Sequence, residues 1–196
     1  QNNGDRFFEL VLETRESDVP RFAEARRRAL GDAAAYYESL IQVYGQESDF
    51  IESAAKASRF LGEIHFELGD FPRAETDFLK AKRSLEQMRA APAADSSVLR
   101  TLASVNFRLA EIARIRKQPE AGLLAIEDAV KLWTSVSNSD PRDYEPRLQT
   151  AEALILRADL RRAMGDYDEA RLALLEANRI YLMLQPQIPT DHRVVG

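Results

Sequence analysis

The chain has 196 residues, 45% of them hydrophobic and 30% charged, with a formal net charge of -5, 8 glycines, 8 prolines and no cysteine. This balance suits a helix-rich folded body, and it makes nucleic acid and anionic membrane surfaces poor partners, because phosphate binding draws on a surplus of Lys and Arg. Disulfides, thiol catalysis and cysteine-ligated zinc are excluded, and no apolar run approaches the roughly 18 to 20 residues that span a bilayer. Opening on Gln1 rather than methionine is expected of a segment cut or processed from a larger protein.

From the amino terminus, Phe7, Phe8, Leu10, Val11 and Leu12 predict a short apolar helix over residues 5 to 16. Ser17-Asp18-Val19-Pro20 then reads as a break with a helix cap. From Val19 to Tyr44, Phe22, Ala25, Ala29, Ala33, Tyr36, Tyr37, Leu40 and Val43 recur at helical spacing, which predicts one long helix weakened slightly at Gly31. Residues 1–46 are thus expected to form an amino-terminal helical cap over the repeats that follow.

Between Ala55 and Met88, two helical patterns flank Gly69-Asp70-Phe71-Pro72. Gly69 suits the left-handed conformation that ends a helix, Asp70 can cap the next one, and Pro72 sits where an early helical position tolerates a missing N–H. Gly62 and Ala81 are small, as two closely crossing helices require. A shift of 48 residues places Ala110 on Gly62 and Ala129 on Ala81, and a second places Ala158 and Ala177 there. Phe78 becomes Ile126 and then Leu174, and the turn becomes Lys117-Gln118-Pro119-Glu120 and then Gly165-Asp166-Tyr167-Asp168. Three antiparallel hairpins are therefore expected over residues 47–186. Pro186 and Pro189 leave 187–196 as a non-helical tail.

Leu61, Gly62, Ala74, Phe78 and Ala81, with their counterparts, resemble the tetratricopeptide repeat, a helix-turn-helix unit of about 34 residues. The middle unit departs from that pattern at Lys117, where glycine is usual, and at Gly122, where alanine is usual. The 48-residue spacing also exceeds the family unit by about 14 residues, placed at 89–102 and 137–150. The resemblance implies an all-α fold of stacked antiparallel hairpins, a solenoid closed by atypical terminal helices. The order LETRESDVP, ALGDAAAYYESL, then hairpin also resembles the extracytoplasmic carboxy-terminal region of planctomycete Ser/Thr protein kinases. That resemblance implies a sensory or scaffold region of a signalling protein, outside the cytoplasm in a single-span membrane protein. Without it the compartment is open, and a cytoplasmic setting is the alternative.

Catalytic chemistry has little to draw on. His65 and His192 are the only histidines, and no phosphate-binding glycine loop, HExxH, GxSxG or kinase HRD and DFG signature occurs. The chain itself is expected to be noncatalytic, with no cofactor and no metal. His65 reads as a core or groove residue, His192 as solvated, Arg26-Arg27-Arg28 as a wet helix face and Trp133 as core.

In the tetratricopeptide family, first helices line a groove that grips peptides. Here the residue after each small slot is acidic: Glu63, Glu111 and Asp159. Four positions before these lie Arg59, Phe107 and Ile155, and three after lie Phe66, Arg114 and Arg162. These nine are the candidate groove, fitted to a protein or peptide with basic and apolar residues, and the acidic row disfavours a carboxylate-bearing chaperone tail. The plainer reading is that Glu111 with Arg114 and Asp159 with Arg162 are i,i+3 surface pairs. A further alternative is an architectural unit that self-associates, with Phe7 and Phe8 as the exposed apolar residues that would favour a homo-oligomer.

Replacing Ala110 by Arg should force a long charged side chain into the middle hairpin and lower stability by at least the roughly 1 to 3 kcal/mol typical of overpacking. An unchanged thermal unfolding midpoint for Ala110→Arg would contradict the alignment.

Overall fold

The computed structural model describes residues 20–44, 51–90 and 95–185, and these are helical throughout apart from short turns. Seven helices follow in order: α1 Pro20–Tyr44, α2 Ile51–Glu67, α3 Phe71–Arg89, α4 Ser96–Ile115, α5 Pro119–Ser139, α6 Glu145–Ala163 and α7 Tyr167–Leu184. No strand occurs among the described residues. Neighbours pack in chain order, α1 on α2, α4 on α5, α5 on α6 and α6 on α7, with a smaller contact between α4 and α6. The chain forms two compact units, one ending at Ser84 and the other beginning at Leu85. The expected short helix over 5–16, with Phe7 and Phe8, and the tail with His192 lie outside the described residues.

The strongest regularity is in the backbone of the three tight turns. Gly69, Lys117 and Gly165 have φ of 77°, 58° and 85°, and Lys117 is the only non-glycine with positive φ among the described residues. Each turn closes in the same way. The N–H groups of Asp70, Gln118 and Asp166 donate to the carbonyls of His65, Ala113 and Arg161 at 2.8, 2.8 and 2.9 Å. Those of Gly69, Lys117 and Gly165 donate to Phe66, Arg114 and Arg162 at 3.0, 3.1 and 3.1 Å. This pair of bonds is the Schellman helix stop, which satisfies carbonyls that the end of a helix otherwise leaves open. The recurrence at 48 residues is therefore present in conformation as well as in sequence. Asp70 also caps α3, its Oδ1 accepting the Arg73 N–H at 3.2 Å, whereas Asp166 makes no such cap and pairs instead with Arg161 at 3.3 Å.

In the first unit, α1 and α2 share a core of Leu30, Ala34, Tyr37, Ala57, Phe60, Leu61 and Ile64, with Tyr37 stacked on Phe60 at 5.1 Å. The buried stripe of α1 is thus rotated by about one residue from the expected one. Ala25 and Tyr36 are exposed, and Leu30 and Ala34 are buried in place of Ala29 and Ala33, which are only partly covered. Leu30 supplies the large apolar side chain on that face that alanines cannot. On the other side of α2, a Cβ added at Gly62 would meet the Phe78 ring at 2.6 Å, so a hydrogen is what lets α3 approach.

In the second unit the small residues act differently from expectation. Ala158 clusters with Ala170 and Ala173, and Ala177 with Ala151 and Leu154. The two small slots of that hairpin serve successive levels of contact and do not face one another at one crossing, because antiparallel helices bring together positions that converge on the turn. Gly122 has its own reason: a Cβ there would lie 2.8 Å from Leu160 Cδ2, so it admits α6 against α5. Most of the surplus length is helix, since α4 begins at Ser96 and α5 runs to Ser139. Leu174 departs from its counterparts, being 48% exposed where Phe78 and Ile126 are fully buried. α5 is packed by both α4 and α6, but the main described contact of α7 is α6 alone.

A lysine in the left-handed region bears a cost of roughly 1 to 2 kcal/mol that glycine avoids, offset in part by glycine's greater loss of chain freedom. Lys117→Gly should therefore raise stability by about 0.5 to 1 kcal/mol in urea denaturation. A loss of stability would show that Lys117 is not held in that conformation.

Candidate partner-binding surface

The nine candidate residues fall in both units, Arg59, Glu63 and Phe66 in the first and the other six in the second. In the first unit they are largely engaged. Glu63 is buried at 8% exposure, Arg59 lays its guanidinium 4.4 Å above the Phe60 ring, and Phe66 meets Phe71 edge-on at 5.6 Å. In the same unit, His65 Nδ1 lies 2.8 Å from Asp77 Oδ2, both groups being buried, and Lys80 Nζ donates to Asp77 Oδ1 at 3.0 Å. This pair ties α2 to α3, so His65 sits in the core of its hairpin. Of the basic cluster, Arg27 and Arg28 are exposed and Arg28 pairs with Glu24.

The second unit brings three candidates together. Arg114 from α4 and Asp159 and Arg162 from α6, with Ala163, line one open cavity of about 320 Å³. The two helices present these side chains jointly because α4 and α6 touch, both lying against α5. Asp159 accepts from Arg162 Nη2 at 2.9 Å, an i,i+3 pair at the rim. Glu111 does not pair with Arg114 as its spacing suggested. Its carboxylate accepts from Arg108 Nη1 at 2.8 Å, both side chains being about three-quarters covered. Arg114 is exposed and has no ion-pair partner among the described residues. Ile155 is 39% exposed. Phe107 does not line the cavity and packs within its own hairpin, 5.8 Å from the buried Trp133.

α6 is positioned by charged links on two sides. Arg161 reaches Glu127 on α5 at 3.4 Å, and Arg157 reaches Glu176 on α7 at 3.3 Å. At the head of α6, Asp143 accepts the Glu145 N–H at 3.0 Å and the Arg100 Nη2 at 2.6 Å. The Glu145 N–H is the largest cause holding the Asp143 carboxyl below its usual range; desolvation opposes it, and the Arg100 guanidinium adds to the lowering.

One further residue joins the surface, and the repeat could not reveal it. Glu152 lies seven residues before Asp159, about 10 Å along the helix and on nearly the same face. Burial raises its pKa, and the charges of Glu145 and Glu111 raise it further. It also helps raise that of Tyr181, where burial is the larger cause. The counterparts of Glu152 one and two repeats back are Ser104 and Lys56, so no periodic signal marked it. Along this face of α6 the carboxylates Glu145 and Glu152 lie toward the start of the helix, Ile155 between, and Asp159 and Arg162 toward its end beside Arg114 of α4, while Glu111 of α4 is near enough to Glu152 to raise its pKa. Among the described residues no group of three potential metal ligands occurs, and no helix is long and apolar enough to cross a membrane. Compared with models of known protein families and with curated proteins, the chain matches none.

Because its folded pKa is raised, Glu152 holds a proton more tightly in the folded state, and its effect becomes unfavourable as pH rises from the unfolded pKa through the folded one. Glu152→Gln should therefore be more stable than the parent near pH 7 and equal to it by about pH 3, in thermal unfolding series across pH. A difference that does not change with pH would remove the charge repulsion from the account.

Proposed function

We propose that the chain is a noncatalytic protein-interaction module, a tetratricopeptide-like stack of hairpins that takes a partner segment along the α4–α6 surface. The observation that carries this reading is the convergence of Arg114, Asp159 and Arg162, found by their place in the repeat, on a single open cavity. The three identical helix stops at 48-residue spacing support the repeat assignment. The half-buried carboxyl of Glu152 and the exposed guanidinium of Arg114 define the ligand more closely: a peptide or protein segment with basic and apolar residues, whose Lys or Arg meets Glu152 and which gains from an acidic residue against Arg114. The sequence order of apolar stretch, long helix and hairpins supports placing the module in a sensory or scaffold region of a larger signalling protein carrying a Ser/Thr kinase, on the extracytoplasmic side of a membrane.

Synthetic peptides of about 12 residues that carry a basic, an apolar and an acidic residue in that order, and their reversals, test the surface by fluorescence anisotropy. For the peptides that bind, Arg114→Ala with Arg162→Ala should weaken binding at least about tenfold, a loss of roughly 1.4 kcal/mol. Binding that is unchanged in the double variant would place the partner elsewhere.

A further inference from the structure

Among the described residues, α7 carries more exposed large apolar side chains than any other helix. Leu172, Leu175, Leu182 and Met183 are 53%, 56%, 61% and 54% exposed. They lie opposite the face formed by Ala170, Ala173, Ala177 and Leu184, which packs inward. Asp168, Leu172, Leu175, Arg179 and Leu182 are spaced alternately by four and three residues, the seam that one helix presents to another. Asp168 and Arg179 are exposed at either end of its central stretch, and neither has an ion-pair partner among the described residues.

The seam is complementary to itself in one direction only. Two copies of α7 laid antiparallel about a two-fold axis between Ala173 and Leu174 place Leu172 against Leu175 of the second copy. They also place Asp168 against Arg179 of that copy, and each contact occurs twice by symmetry. Leu182 then lies at the start of the second copy's α7, which begins at Tyr167. A parallel arrangement would set Asp168 against Asp168 and Arg179 against Arg179, two repulsions in place of two ion pairs. We infer that the outer face of α7 is a homodimer interface, closed antiparallel by these leucines and by reciprocal Asp168–Arg179 pairs. It is separate from the α4–α6 surface and does not rest on the peptide-binding reading. A single helix pair buries less area than a standard protein interface, so association is expected in the micromolar range or weaker.

Sedimentation velocity of the full chain, over a roughly hundredfold concentration range reaching the high-micromolar region, tests the pairing. The parent should shift from monomer to dimer. Asp168→Arg and Arg179→Asp should each weaken the dimer at least about tenfold, while the double variant, whose charges are exchanged, should return to within about threefold of the parent. All the substituted side chains are exposed, so each variant should retain its helices, which circular dichroism checks. A parent that stays monomeric throughout, including through coverage of this face by another part of the same chain, would overturn the inference. So would a dimer insensitive to both single variants, or a double variant no better than either.

Discussion

A helical hairpin depends on stopping one helix and starting the next within about three residues while the last carbonyls of the first still find donors. The three turns at Gly69, Lys117 and Gly165 meet that demand with one residue in the left-handed region and the same two hydrogen bonds. Once the reversal is fixed, the register of the returning helix is fixed too. Phe78 must lie over Gly62 in the first hairpin, and Ala170 and Ala173 must meet Ala158 in the third. The middle turn shows how strong the constraint is, because a lysine adopts the conformation that glycine adopts in the other two. Its two hydrogen bonds and the packing of α4 on α5 outweigh the local cost.

The candidate surface follows from this register. With α4 and α6 both set against α5, Arg114 of one and Asp159, Arg162 and Ala163 of the other line one surface. Internal pairing then decides what remains available. Arg108 engages Glu111 and Arg162 engages Asp159, so the acidic row is partly neutralised within the chain. Arg114, which has no ion-pair partner among the described residues, and the half-buried carboxyl of Glu152 are left as the groups whose charge a partner would complete. The more exposed of the two internal pairs, Arg162 with Asp159, contributes little to stability, roughly 0 to 1 kcal/mol, and can be opened by a ligand at small cost.

The scaffold was legible in the sequence because helix stops have residue requirements. Gly69 in the left-handed conformation and Asp70 as a cap were readable from their identities, and Gly62 as a close-approach residue from its small size, although the group it admits is the Phe78 ring and not Ala81. Lys117 carried no such signal by itself, and only its place in the repeat marked it. Rotations of a helix face were harder to read. On α1 the alternative stripes differ by a single residue, and the choice turned on Leu30 meeting the α2 core. The site was legible only in part, for a reason of scale. Spacing identifies which residues share a face, but not which cation reaches which carboxylate. Glu111 chose Arg108 over Arg114, two residues equally distant along the helix. Glu152 owes its raised pKa first to burial and then to Glu145 and Glu111, the latter on another helix, which no local pattern encodes.

Amide hydrogen exchange, read residue by residue by NMR, tests the shared helix stop most directly. The N–H groups of Asp70, Gln118 and Asp166 should all be protected, as donors to His65, Ala113 and Arg161. Protection at Gln118 comparable with the two glycine turns is the expected result. Exchange of Gln118 at the rate of an open chain, with Asp70 and Asp166 protected, would show that the middle hairpin does not share the turn and would contradict the three-fold recurrence.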